Sequence, residues 1–218
     1  MAVSAKGFRP LFPLYAILDA DVAARAGWTL VDLAAACLDG GARLLQIRAK
    51  TASSGWLLEA ARSIAEMAHR DGAVLIVNDR ADIARLSGAD GVHVGQQDVR
   101  PGAARALVGD SAILGVSTHT PEQLADALAS PDVNYVACGP VFGTTTKATG
   151  FEPGGLALVR RTVAAARNRG LPVVAIGGIT LDTAAPVIEA GAASVAVITD
   201  LLVTGDPEAR VREFLRRV

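Results

Sequence analysis

Short apolar runs rich in β-branched residues recur along the chain at positions 14–18, 44–47, 74–77, 91–94, 113–116, 135–138, 173–176 and 194–198. Each is continuous rather than alternating, which is the pattern of strands buried on both faces, as the strands of parallel sheets are. A stretch of helical period follows each run. The stripe is clearest where Leu30, Leu33, Ala34, Cys37 and Leu38 share one face. It returns at the end of the chain, where Val211, Phe214, Leu215 and Val218 line one face and Arg210, Arg212, Arg216 and Arg217 take the others. That arginine-rich face, like the cluster Arg160, Arg161, Arg167 and Arg169, reads as a solvated surface and not as a nucleic-acid patch. Gly40 and Gly41, Gly72, Gly170 and Gly191 stand between a helical stripe and the next run, where helices that feed parallel strands end. The unit is βα, eight times over.

Eight such units in roughly 200 to 250 residues make one closed barrel. The chain has 218 residues and no Pro-, Gly- or Ser-rich linker divides it. The pattern therefore predicts an α/β fold, a single (β/α)8 TIM barrel domain over 1–218, with the active site on the loops that follow the strands. An open doubly wound sheet is the alternative, but its G-x-G-x-x-G fingerprint is missing from positions 18–27, after the first strand.

Composition narrows the partners. With 51% hydrophobic and 20% charged residues the chain can bury a sizeable core, which excludes disorder as its main state. Lys plus Arg number 21 against 22 Asp plus Glu, a net charge of -1, so no global field favours nucleic acid or a membrane surface. A small molecule is the expected partner. The two cysteines, Cys37 and Cys138, sit in unrelated apolar runs and build neither a disulfide framework nor a metal cluster, so a reduced, cytoplasmic protein is expected. No apolar run approaches the roughly 18 to 20 residues of a membrane span. Lys6, Arg9 and the run 11–18 faintly mimic a signal peptide, but Pro10 and Pro13 interrupt it and Asp19 follows directly; a first strand is the better reading.

The chemistry is concentrated just after the strands. Gln46, Arg48 and Lys50 alternate at the end of the second run, a spacing that aims an amide and two cations at the barrel mouth and suits a phosphorylated ligand. A solvated strand end is the bland alternative. Asn78, Asp79 and Arg80 end the third run, and the fourth leads through His93 to Gly95, Gln96, Gln97 and Asp98. Two carboxylates on neighbouring loops amid cationic charge suit Mg2+, which takes few carboxylates and fills its sphere with water and phosphate oxygens. A helix N-cap for Asp79 and a polar turn for Asp98 are the competing roles. The fifth run yields Ser117, His119 and Thr120, the last as cap of a helix opened by Pro121. No third partner marks a nucleophile triad, and His119 reads equally as acid or base and as a packing residue.

The long stretch 139–150 carries Phe142, Gly143, Thr144, Thr145, Thr146 and Lys147, which can present amides, hydroxyls and a positive charge to a phosphate, although it is no Walker A loop. Gly177 and Gly178 after the seventh run, with Ile198, Thr199 and Asp200 after the eighth, occupy the loops where such barrels hold a phosphate. Two phosphorylated groups are expected to meet in one site.

The series QIRAK at 46–50, ND at 78–79, GVHVGQQD at 91–98, GVSTHT at 115–120, GPVFGTTTK at 139–147 and AIGGIT at 175–180 resembles the thiamine-phosphate synthases, also called thiamine-phosphate pyrophosphorylases, over essentially the full length. The resemblance implies a barrel transferase of thiamine biosynthesis. It would join 4-amino-2-methyl-5-hydroxymethylpyrimidine diphosphate to thiazole phosphate, with Mg2+ as cofactor, and release pyrophosphate. By position it implies that Gln46, Ile47, Arg48, Ala49, Lys50, Asn78, Ser117 and Lys147 bind the pyrimidine diphosphate, with Arg48, Lys50, Ser117 and Lys147 catalytic. Asp79 and Asp98 would hold the metal, and Thr144, Thr145, Thr146, Gly178, Ile198 and Thr199 the thiazole phosphate. The implied reaction is dissociative: a pyrimidine methyl cation, supported by the ring's amino group, is captured by the thiazole nitrogen without a protein nucleophile. The similar thiazole tautomerases shift a proton instead, with a histidine matching His119 as acid or base. They need no diphosphate-bound metal, so the pairing of Asp79 and Asp98 with Lys50 and Lys147 favours the synthase. A non-catalytic thiazole- or thiamine-phosphate-binding regulatory barrel would be expected to have lost one of those groups. The chain departs from the usual loop at Gly143, where a proline is common. Whether it forms a homo-oligomer does not follow from the residues.

Overall fold

The structure is a computed structural model and describes residues 12–144 and 150–218. Eight parallel strands close on themselves in chain order, with the last beside the first. They are β1 (Leu14–Asp19), β2 (Leu44–Arg48), β3 (Val74–Asn78), β4 (Gly91–Val94), β5 (Ile113–Thr118), β6 (Tyr135–Cys138), β7 (Val173–Ile176) and β8 (Ser194–Val197). Among the described residues nine α-helices surround them: α1 (Ala20–Arg25), α2 (Leu30–Asp39), α3 (Ser54–Arg70), α4 (Ala81–Ser87), α5 (Pro101–Val108), α6 (Pro121–Ala129), α7 (Gly155–Ala166), α8 (Leu181–Glu189) and α9 (Pro207–Arg217). The expected barrel is the observed one. Among the described residues no helix is long and apolar enough to cross a membrane.

The continuous apolar runs have a direct cause. Alternate strand residues point into the barrel and out to the helices, and both sides are dry. Tyr15, Ile17, Leu44, Ile76, Tyr135 and Val174 form the inner cluster, while Leu14, Ala16, Leu18, Leu45, Ile47 and Val77 join the helices in the outer one. Space inside is tight at Gly115, where a Cβ would lie 2.0 Å from the Tyr135 ring. The capping chemistry agrees with the expected boundaries at Thr120, whose hydroxyl accepts from the Gln123 N–H at 3.3 Å. It differs at α4. There the cap position is Arg80, with no side-chain bond, and Asp79 stands one residue earlier in the left-handed region at φ 64°. Asp79 is therefore not a helix cap, and its carboxylate is turned elsewhere.

Two further features shape the barrel mouth. The chain after β6 continues alongside the chain after β7, with the Val141 N–H donating to the Ile176 carbonyl and the Phe142 N–H to the Gly177 carbonyl, both at 2.9 Å. After β8, Asp200 ties the mouth to two helices, its Oδ2 accepting from the Leu181 N–H at 3.1 Å and from Arg210 Nη2 at 2.7 Å.

Candidate active site

A cavity of about 570 Å³ opens at the C-terminal ends of the strands. Its two sides differ in chemistry. Gln46, Arg48, Asn78, His93 and Ser117 supply a polar side from β2 to β5, whereas Ala137, Val174, Ile176, Ala196 and Ile198 make the opposite side apolar. Gly143, Thr144, Gly177, Gly178 and Thr199 rim the apolar side.

The polar side is held from below by a hydrogen-bonded chain through the barrel interior. Gln46 Nε2 donates to the Tyr15 hydroxyl at 2.8 Å, and the Tyr15 and Tyr135 hydroxyls are 3.0 Å apart. The Tyr135 hydroxyl is 2.9 Å from His93 Nδ1, and His93 Nε2 is 2.8 Å from Ser117 Oγ. Gln46, Tyr15, Tyr135 and His93 are all buried. Burial pushes both phenols well above the ordinary tyrosine range, so they keep their protons. Among the described residues no buried side-chain nitrogen or oxygen lacks a hydrogen-bond partner. The chain's two tyrosines thus meet inside the barrel. In the sequence they sit within apolar strand runs; their shared inward parity is a signal only once the strands are paired.

The cationic groups are individually anchored. Arg48 forms an ion pair with Asp19 at the end of the neighbouring strand, and Asp19 Oδ1 also caps α1 through the Val22 N–H at 3.0 Å. Lys50 lies beyond the end of β2 and pairs with Asp79. Gln46 and Arg48 share the inward side as the alternating spacing requires, whereas the Ile47 and Ala49 side chains pack with the outer core. Only their backbone can serve a ligand at the mouth.

The carboxyl groups of Asp79 and Asp98 come within hydrogen-bonding reach of each other. Asp98 Oδ2 also accepts from the Gly95 N–H at 2.8 Å, so its turn role coexists with this encounter. Burial first, and the neighbouring Asp98 second, hold the Asp79 carboxyl above the usual range, against the opposing pull of Lys50. Two crowded carboxylates, one of them paired with a lysine that is 46% exposed, form a hard-oxygen donor set. No cluster of three or more His, Cys, Asp or Glu side chains suited to a metal occurs among the described residues. The set fits Mg2+, which needs few protein ligands when phosphate and water complete its sphere.

On the apolar rim Gly177 and Gly178 follow one another at φ 104° and 62°. A Cβ on Gly178 would lie 2.3 Å from the Gly143 carbonyl oxygen, so only glycine lets the two loops meet there. Successive backbone amides in such a turn form an anion cradle. Thr144, Gly178, Ile198 and Thr199 line this part of the cavity, while Thr145, Thr146 and Lys147 lie outside the described residues. His119 also lines the cavity, stacked on Phe151 at 4.8 Å, with Nδ1 2.6 Å from the Gly139 carbonyl. A carbonyl only accepts, so Nδ1 carries the proton.

Residues 14–201 match the family model described as thiamine monophosphate synthase. A thiamine-phosphate synthase of Koribacter versatilis is 44% identical over 205 residues, covering 93% of this chain and 94% of the relative. The thiamine biosynthesis bifunctional protein ThiM/ThiE of Symbiobacterium thermophilum is 44% identical over 193 residues, 88% of this chain; the chain spans only 39% of that longer relative. Among solved structures, a thiamine phosphate pyrophosphorylase from Pyrococcus furiosus superposes with a TM-score of 0.85 at 28% identity, over 96% of both chains. The family-model match, the sequence identity and the shared barrel identify this chain as a member of the thiamine monophosphate synthase family.

Proposed function

We propose that the chain is a thiamine-phosphate synthase, a transferase that joins 4-amino-2-methyl-5-hydroxymethylpyrimidine diphosphate to thiazole phosphate and releases pyrophosphate. One observation carries the reading: the cavity has a polar, charge-lined side and an apolar side rimmed by the Gly177–Gly178 turn, which suits two phosphorylated substrates meeting face to face. The pyrimidine diphosphate lies on the polar side. Gln46, Asn78 and Ser117 hold its ring, and Arg48 and Lys50 face its diphosphate; Lys147, outside the described residues, would add a third positive charge by the family resemblance alone. The thiazole phosphate sits on the Gly177–Gly178 turn with Thr144 and Thr199. The carbon–oxygen bond breaks with its electron pair going to the diphosphate, and the thiazole nitrogen closes the new bond. Val174, Ile176 and Ile198 keep water from the intervening cation. Arg48, fixed by Asp19, and Lys50 stabilise the charge that grows on the leaving group without having to reorganise. Asp79 and Asp98 would hold Mg2+, which when bound offsets part of that same charge. The partners are small phosphorylated molecules, and phosphorylated intermediates together with two buried free thiols support a reduced, cytoplasmic setting.

Pyrophosphate release, followed with a coupled colorimetric assay, tests this. Release is expected only when both substrates are supplied. The thiazole tautomerase is the second reading, favoured by His119, whose proton on Nδ1 leaves Nε2 as the acceptor in the neutral ring. A tautomerase would release no pyrophosphate, but would exchange thiazole-phosphate protons with solvent deuterium.

A further inference from the structure

The interior chain from Gln46 to Ser117 has a direction. Each hydroxyl donates one hydrogen bond, and a neutral imidazole donates from one nitrogen while accepting at the other. With the Gln46 amide donating to the Tyr15 hydroxyl, the arrangement that gives every hydroxyl of the chain an acceptor within it runs from Tyr15 to Tyr135 and from Tyr135 to His93 Nδ1. The imidazole proton then sits on Nε2 and is given to Ser117 Oγ. We propose that Tyr15, Tyr135 and His93 are positioning residues that fix His93 as its Nε2–H tautomer and thereby turn the Ser117 hydroxyl proton outward, as a hydrogen-bond donor to the pyrimidine. This deepens the synthase reading and rests on it for the identity of the ligand.

The geometry also decides what Ser117 is not. A serine 2.8 Å from a histidine Nε2 is the spacing of a nucleophile and its base. In that arrangement a carboxylate accepts from Nδ1–H and leaves Nε2 as the base. Here a phenol takes the third place, and in the proposed direction it donates, which leaves the proton on Nε2 and no base for the serine. Both phenols stay protonated because they are buried, so each has a proton to donate along the chain. The ring of Tyr135 is stacked on His93 at 5.5 Å and set edge-on to Tyr15 at 6.2 Å. Substitution by Phe preserves those contacts and removes only the hydroxyl.

Nitrogen-15 NMR of the wild-type protein with labelled histidine reads the tautomer without any substrate. The three histidines are assigned through His69→Gln, His93→Gln and His119→Gln variants. His93 is expected as Nε2–H and His119, bonded to a carbonyl, as Nδ1–H; His93 as Nδ1–H would overturn the proposal. In kinetics, Tyr135→Phe is expected to raise KM for the pyrimidine diphosphate about tenfold, the weight of one lost hydrogen bond. KM for the thiazole phosphate should stay within about twofold, and Tyr135→Phe should add nothing in a Ser117→Ala background, because sites that act through one another are not additive. Full additivity in that double variant, or equal effects on both KM values, would contradict the relay. A wild-type protein without turnover would refute the synthase reading, and the NMR measurement would still decide the direction of the chain.

Discussion

Asp19 supports the cationic side of the site through one side chain with two jobs. It is 3% exposed; Oδ1 caps α1 and Oδ2 holds the Arg48 guanidinium, whose side chain is 16% exposed. Asp19→Asn keeps an oxygen for the cap and removes the charge from beside Arg48. Removing one partner of a buried ion pair costs about 3 to 5 kcal/mol, and because Arg48 borders the water-accessible cavity we expect about 2 to 3 kcal/mol here. Asp19→Ala should cost about 1 kcal/mol more, the value of an N-cap. Adding Arg48→Met to Asp19→Asn removes the stranded cation and should recover roughly half of the first loss. Urea denaturation at pH 7 reads all three stabilities, and KM for the pyrimidine diphosphate should rise in Asp19→Asn because Arg48 is no longer aimed. A stability within about 0.5 kcal/mol of wild type together with an unchanged KM would refute this role for Asp19.

Gly178→Ala should raise KM for the thiazole phosphate and leave that for the pyrimidine diphosphate unchanged, because its Cβ would strike the Gly143 carbonyl oxygen at 2.3 Å and part the two loops; a loss confined to the pyrimidine substrate would contradict the division of the cavity. Asp98→Asn keeps an acceptor for the Gly95 N–H, so it should fold while turnover falls by about two orders of magnitude, and full magnesium-dependent activity would sink the metal assignment. Burial pushes the Cys37 thiol up to about 12 and the Cys138 thiol up to about 11. Unfolded thiols titrate near 8.5, so the folded chain binds more protons above that pH. The thiols' contribution to stability is therefore complete below about pH 8.5 and declines as the pH rises toward the folded values. Urea midpoints from pH 7 to 10 should show the decline, and a Cys37→Ala, Cys138→Ala double variant should show a much shallower one, left to the buried tyrosines near pH 10.

The barrel is readable in the sequence because every strand is dry on both faces, so eight continuous apolar runs mark it without any tertiary knowledge. Strand ends are less legible: β1 and β5 run to Asp19 and Thr118, past the apolar residues that announce them, because ladder pairing and not hydropathy ends a strand. The polar groups after the strands are visible as candidates, yet their pairing is not. Asp19 reads locally as a charge that ends an apolar run, and only the closure of β1 on β2 brings it to Arg48, 29 residues away. Tyr15 and Tyr135 are 120 residues apart and look like core. Alternation correctly groups Gln46 with Arg48, but the strand stops at Arg48, and Lys50 turns to Asp79 instead of continuing the row. Asp79 resembles a helix cap in sequence because nothing local announces its left-handed backbone.

Thiamine phosphate formation by the purified protein, read by conversion to fluorescent thiochrome with both substrates present and with either magnesium or excess chelator added, bears most directly on the central claim. Product that appears with magnesium and vanishes with chelator is expected; no product under either condition would contradict the synthase reading and leave His119 as the group to test for proton transfer.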